Sequence, residues 1–192
     1  MDAFGQNQFE LRRKFFSFPH TSFTIFSGSG APLLYGRKKG FKLKEDIRVF
    51  EDEGLTREVL AIQARSVLDI SATYDVTDSR ERRPVGILRR KGLKSILRDE
   101  WQILGLNEEP IATVQEDSQA MALVRRFLSN LIPQSYHVLA KDSFPIGEIK
   151  QNFNPFLLHL RIDFSRDSAR VLDRRLGLAA AVVLGTIEGR QG

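Results

Sequence analysis

The chain holds no cysteine in its 192 residues, so disulfides, thiolate nucleophiles and thiolate metal ligands are excluded together. Histidine is scarce, with only His20, His137 and His159 present, and the sequence around each offers neither metal-ligand spacing nor an attendant carboxylate. The usual catalytic signatures are missing as well. No serine sits in Gly-x-Ser-x-Gly, and no Gly-x-x-x-x-Gly-Lys-Ser/Thr or Gly-x-Gly-x-x-Gly segment opens a helix. The adjacent acids Glu45-Asp46 and Glu116-Asp117 would point to opposite faces of a strand, so neither pair can act as a dyad. An enzyme is not expected, and nothing requires a cofactor or a metal. Long apolar runs are absent with one exception of 12 residues, short of the roughly 20 that span a bilayer, so no transmembrane span is expected. Residues 1–11 place Gln6, Asn7, Gln8 and Glu10 where a signal peptide needs an apolar core. A cytoplasmic protein, at most peripheral to a membrane, is the expectation.

What is present reads as one ordered domain over residues 1–192, because 42% hydrophobic and 28% charged residues is an ordinary globular balance. Three segments repeat at intervals of 26 residues: Arg37-Lys38-Lys39-Gly40-Phe41-Lys42, Gln63-Ala64-Arg65-Ser66-Val67-Leu68 and Arg89-Arg90-Lys91-Gly92-Leu93-Lys94. Each is followed by an alternating apolar pair, Ile47/Val49, Tyr74/Val76 and Trp101/Ile103, recurring every 27 residues. Alternation of period 2 between turn-forming stretches such as Glu51-Asp52-Glu53-Gly54 predicts antiparallel hairpins. A looser copy lies around Phe9 and Phe23 to Phe26, turning at Gly28-Ser29-Gly30, and later ones at 134–140, 146–151 and 158–164. About twelve strands over residues 8–165 would leave apolar edges exposed unless the sheet closes on itself. A short helix is expected at about 119–131, where Met121, Leu123, Val124, Phe127, Leu128 and Leu131 share a face.

The exceptional run is Leu176 to Ile187, apolar on every side where a surface helix would carry a polar stripe. Its small residues, Gly177, Ala179 to Ala181 and Gly185, would let a surrounding wall pack close. A central helix at about 171–189, buried inside the barrel, is therefore expected. The fold class is mainly β: a closed antiparallel barrel around a hydrophobic C-terminal helix.

Three stretches carry a resemblance: residues 89–101 from Arg89-Arg90-Lys91-Gly92-Leu93-Lys94 through Trp101, Phe153-Asn154-Pro155-Phe156, and Asp173-Arg174-Arg175-Leu176-Gly177-Leu178-Ala179-Ala180-Ala181. Together they resemble the tubby C-terminal-like superfamily, closest to its LURP-one-related and phospholipid-scramblase branches. The resemblance implies a twelve-strand barrel around a C-terminal helix. For function it implies phosphoinositide binding by basic wall residues, as in tubby-like members, or calcium-dependent lipid movement through an acidic segment before the helix, as in scramblase-like ones. Here that segment, residues 163–173, has arginines interspersed and no regular oxygen-ligand pattern.

A formal charge of +5 favours an anionic partner. Arg37, Lys39, Arg89, Lys91, Lys94 and Arg98 are the candidate ligands for an anionic phospholipid headgroup, converging from adjacent strands, with arginine able to grip phosphate through two parallel hydrogen bonds. The competing reading is a solvated row of charges on a structural or protein-interaction barrel. Trp101 and Phe50 fall among apolar positions and read as core, which places nucleic acid last among partners.

Overall fold

A computed structural model describes residues 2–14, 20–39, 44–66, 72–91, 100–117, 134–152, 154 and 156–186. The expected helix at 119–131 lies outside these residues. Alternating apolar side chains build twelve strands: β1 (Gln8–Lys14), β2 (Thr21–Ser27), β3 (Pro32–Lys38), β4 (Asp46–Phe50), β5 (Glu58–Ala64), β6 (Thr73–Asp78), β7 (Arg83–Arg90), β8 (Glu100–Leu104), β9 (Pro110–Glu116), β10 (Ser135–Ala140), β11 (Pro145–Asn152) and β12 (Leu157–Asp163). Every strand pairs antiparallel with its sequence neighbours, and β1 pairs with β12 from Gln8↔Asp163 to Lys14↔Leu157, so the barrel closes. The repeat read in the sequence is the hairpin itself. Ile47, Val49, Tyr74, Val76, Trp101 and Ile103 all point inward and are buried. Phe50 does not join them: it stands half-buried on the outer face opposite Tyr35.

Five hairpins, β2–β3, β4–β5, β6–β7, β8–β9 and β10–β11, turn at one end of the barrel, and each has a register shift beside its turn. One residue in each turn takes a left-handed conformation, namely Gly30, Leu55, Arg82, Glu108 and Ser143, the geometry that turns a short hairpin through a bulge.

The lumen is filled by α1 (Arg174–Thr186), whose residues are buried except for the half-buried Arg175. Asp173 caps it, its carboxylate accepting the Arg175 N–H at 2.9 Å, which is why it begins three residues later than expected. Glycines let wall and helix approach. A Cβ on Gly177 would lie 2.7 Å from the Phe164 ring, and one on Gly147 of β11 would meet the same ring at 2.6 Å. Gly185, at the far end, faces Leu11, Leu158 and Leu160.

Two ion pairs fix the N-terminal end of α1. Arg174 donates to Asp167 at 2.7 Å, with both side chains almost fully buried, and also to Asn7 and to backbone carbonyls of Leu172, Phe164 and Asp167. Arg175 reaches the fully buried Asp78 at 2.9 Å. Burial works against a charged Asp78, but hydrogen bonds from Arg80 and Arg175 and from the Glu81 backbone outweigh it and hold the carboxyl down at about 2. Asp167 is likewise lowered: burial opposes, and Arg174 with the Leu172 and Val171 N–H groups prevails. The segment before the helix thus spends its carboxylates on arginines and N–H groups, Asp163 on Ser165 and Gln8, Asp167 on Arg174, and Asp173 on Arg175.

Three outcomes follow from this packing. Ala180→Arg should yield no soluble folded protein, since a buried unpaired charge costs several kcal/mol against a total stability of about 5–15; cooperative urea unfolding of that variant would contradict the sealed helix. Gly177→Ala gains about 1 kcal/mol of helix propensity but drives a methyl into Phe164, itself confined by Gly147, at a cost of about 1–3 kcal/mol, so the urea midpoint should fall. Asp78, with its carboxyl depressed, adds stability present above its ordinary value near 3.8 and lost as pH falls toward about 2. The stability gap between the parent and Asp78→Asn should therefore shrink by about 2 kcal/mol from pH 5 to pH 2; a gap constant with pH would count against the pair.

Candidate functional site

The closed lumen is occupied by the helix, so the surface residues read as candidates in the sequence are judged by where the strands display them. Alternation puts Arg37 on the outer face of β3 and Arg89 on the outer face of β7, while Lys38 and Arg90 turn inward. Lys38 is buried, its ammonium held by Glu45, which also accepts the Tyr74 hydroxyl. Lys39, just past β3, is half exposed with its ammonium 3.6 Å from Asp46. Lys94 and Arg98 lie outside the described residues.

Among the described residues, Arg37 and Lys39 do not converge with Arg89 and Lys91. In the barrel β3 and β7 have β4, β5 and β6 between them, about 19 Å of wall at about 4.8 Å per strand. The adjacency expected from the sequence is thereby corrected: copies of a two-strand repeat stand two strands apart, and the first and third copies twice as far. Their electrostatics differ too. Arg89 is engaged by Glu108 at 2.5 Å, and the same carboxylate binds Arg65 at 3.1 Å, with Asp75 on the other side of Arg65. Hydrogen bonds from Arg89 and then Arg65 hold the Glu108 carboxyl below its usual range. Lys91 is engaged by Glu100. These cations are neutralised within the protein.

Arg37 is exposed and makes no ion pair among the described residues. It lies in register with Ser22 of β2 on one side and Arg48 of β4 on the other. The β1–β2 register, which pairs Arg13 with Phe23, carries one step further to Lys14 beside Ser22. Lys14 is also exposed and without an ion pair among the described residues. Lys14, Ser22 and Arg37 thus form an outer row of cation, hydroxyl and cation, with the backbone positions of the two cations about 10 Å apart across two strand spacings. Arg48, next in the row, is neutralised by Asp46 at 2.5 Å and Glu58 at 2.9 Å. Long side chains flanking a hydroxyl at this spacing suit a multiply charged anion such as phosphate.

Sequence reading missed Lys14. The triplet Arg12-Arg13-Lys14 was visible, but the registers of β1 on β2 and of β2 on β3 are what set its last residue on the same face as Arg37, two strands away. The histidines also differ from their sequence surroundings, since neighbouring strands supply carboxylates: Asp117 lies 2.6 Å from His137 and Glu10 lies 3.1 Å from His159. Among the described residues, no group of three His, Cys, Asp or Glu side chains could hold a metal ion, and no helix is long and apolar enough to cross a membrane.

A search of curated proteins finds no match to the chain. The family model for LURP-one-related proteins matches residues 33–185, running from β3 to the end of α1. Hairpin repeat, closed wall and buried terminal helix therefore belong to a member of the LURP-one-related family.

Proposed function

We propose that the chain is a non-enzymatic binding module whose outer wall takes an anionic phospholipid headgroup, with phosphoinositides as the expected class. The observation that carries this reading is the row Lys14, Ser22 and Arg37, exposed, with cations uncompensated among the described residues. Lys39 flanks it as a secondary cation whose attraction is shared with Asp46. Arg89 and Lys91 leave the ligand set, because Glu108 and Glu100 already satisfy them. A binding role is preferred to catalysis because the barrel's interior, where an enclosed substrate would sit, is packed solid by α1.

Liposome flotation at physiological salt tests the reading. The parent should float with phosphoinositide vesicles and not with neutral ones. Lys14→Gln with Arg37→Gln should weaken recovery by about thirtyfold, at about 1 kcal/mol per surface cation, while Arg89→Gln with Lys91→Gln should leave it nearly unchanged. Equal recovery on both vesicle types would end the proposal and favour the structural or protein-interaction barrel.

A further inference from the structure

Phe156 is the most exposed large apolar side chain described, at 75%. It is not a frayed position, because the side-chain Oδ1 of Asn154 accepts the N–H groups of Phe156 at 2.9 Å and of Leu157 at 3.0 Å, pinning the turn that enters β12. The register Lys14↔Leu157 sets this ring at the same end of the barrel as Lys14, one residue beyond it on the neighbouring strand. Lys39 and Lys44, which flank the β3–β4 connection, open toward that end as well, and both are exposed. The Lys44 ammonium donates to a backbone carbonyl, that of Arg65, so its charge is not cancelled there. The described carboxylates nearest on this sector, Glu45 and Asp46, are engaged by Lys38 with Tyr74 and by Arg48 with Lys39.

The opposite end has another character. Its turns mix exposed Glu53, Glu109 and Asp142 with arginines, and its exposed apolar residues, such as Leu106 and Phe144, stand among those acids.

A rigidly presented aromatic ring beside Lys14, Arg37 and Lys44, which make no ion pair among the described residues, and Lys39, shared with Asp46, matches the boundary of an anionic bilayer, where rings sit at headgroup level and cations face the lipid phosphates. We propose that the barrel docks on an anionic bilayer end-on, with Phe156 as a wedge entering the headgroup and acyl boundary and Lys14, Arg37, Lys39 and Lys44 spread around it over the headgroups. This orientation rests on the headgroup reading above and adds an apolar anchor to it. The turns of mixed charge at the far end then point away from the surface.

The test uses the full chain with phosphatidylcholine vesicles containing phosphatidylserine and phosphoinositide. Phe156→Trp places an indole at the wedge, and the native Trp101, buried inside the wall, gives the background from the parent. Brominated acyl chains should quench the added emission and shift it to the blue, and Phe156→Ala should weaken flotation by about tenfold, whereas Phe144→Ala at the other end should not. If the Phe156→Trp protein floats with its emission unquenched and Phe156→Ala floats like the parent, the wedge is overturned while the headgroup site stands. If no protein floats, the headgroup reading itself falls. If Phe156→Ala floats unchanged but abolishes self-association in light scattering, the ring belongs to a protein contact and the orientation is wrong.

Discussion

A helix with no polar side can exist in water only if something covers its whole circumference, and every other feature of this molecule serves that requirement. Two packed layers would leave one flank of α1 wet. A sheet of twelve strands closed between β1 and β12 covers all of it, and closure also removes the apolar strand edges that an open sheet of this size would expose. Wall and helix then need to fit at close range, which explains glycine on both surfaces: Gly177 and Gly147 make room for Phe164, and Gly86 for Leu176.

The ends of the lumen pose a different problem, because a tube has two openings. At the N-terminal end of α1 the seal is electrostatic. Arg174 and Asp167 are buried together and surrounded by donors and carbonyls, with Phe164 beneath the guanidinium at 5.3 Å, so neither charge is left without partners in a medium that would penalise it. At the C-terminal end the inward-facing positions beyond the apolar layer carry Arg13, Lys38 and Glu116, all buried. Cations near that end also have the sign that complements the carbonyl end of a helix dipole. The charged residues of this protein are thus divided between plugging the tube and decorating its wall, and alternation along each strand decides which does which.

That division explains how much could be read from the sequence. Strand periodicity, the 27-residue spacing of Ile47, Tyr74 and Trp101, and the apolar run from Leu176 identify barrel and central helix because they depend on local pattern and length. The basic clusters were less legible. Arg37, Lys38 and Lys39 look alike in sequence, yet one is exposed to solvent, one is buried against Glu45 and one leans on Asp46. Arg89 appears available until Glu108, brought back over the wall by the β8–β9 turn, is seen to hold it. Partners of this kind arrive from other strands, as do Asp117 for His137 and β1 for β3, and no window of sequence contains them. Phe50 was legible and misread, since the alternation that turns Ile47 and Val49 inward turns it outward whatever its apolar character.

The pairing of the first strand with the last has a further bearing, on how the protein is made. All the other ladders join neighbours in sequence and can zip locally, but β1 gains its second neighbour only when β12 emerges, and the core-filling helix follows later still. Contacts between such distant parts of a chain form slowly. A curved apolar trough with two open margins therefore persists until β12 and α1 have both been made, and surface of that kind, exposed during folding, favours aggregation.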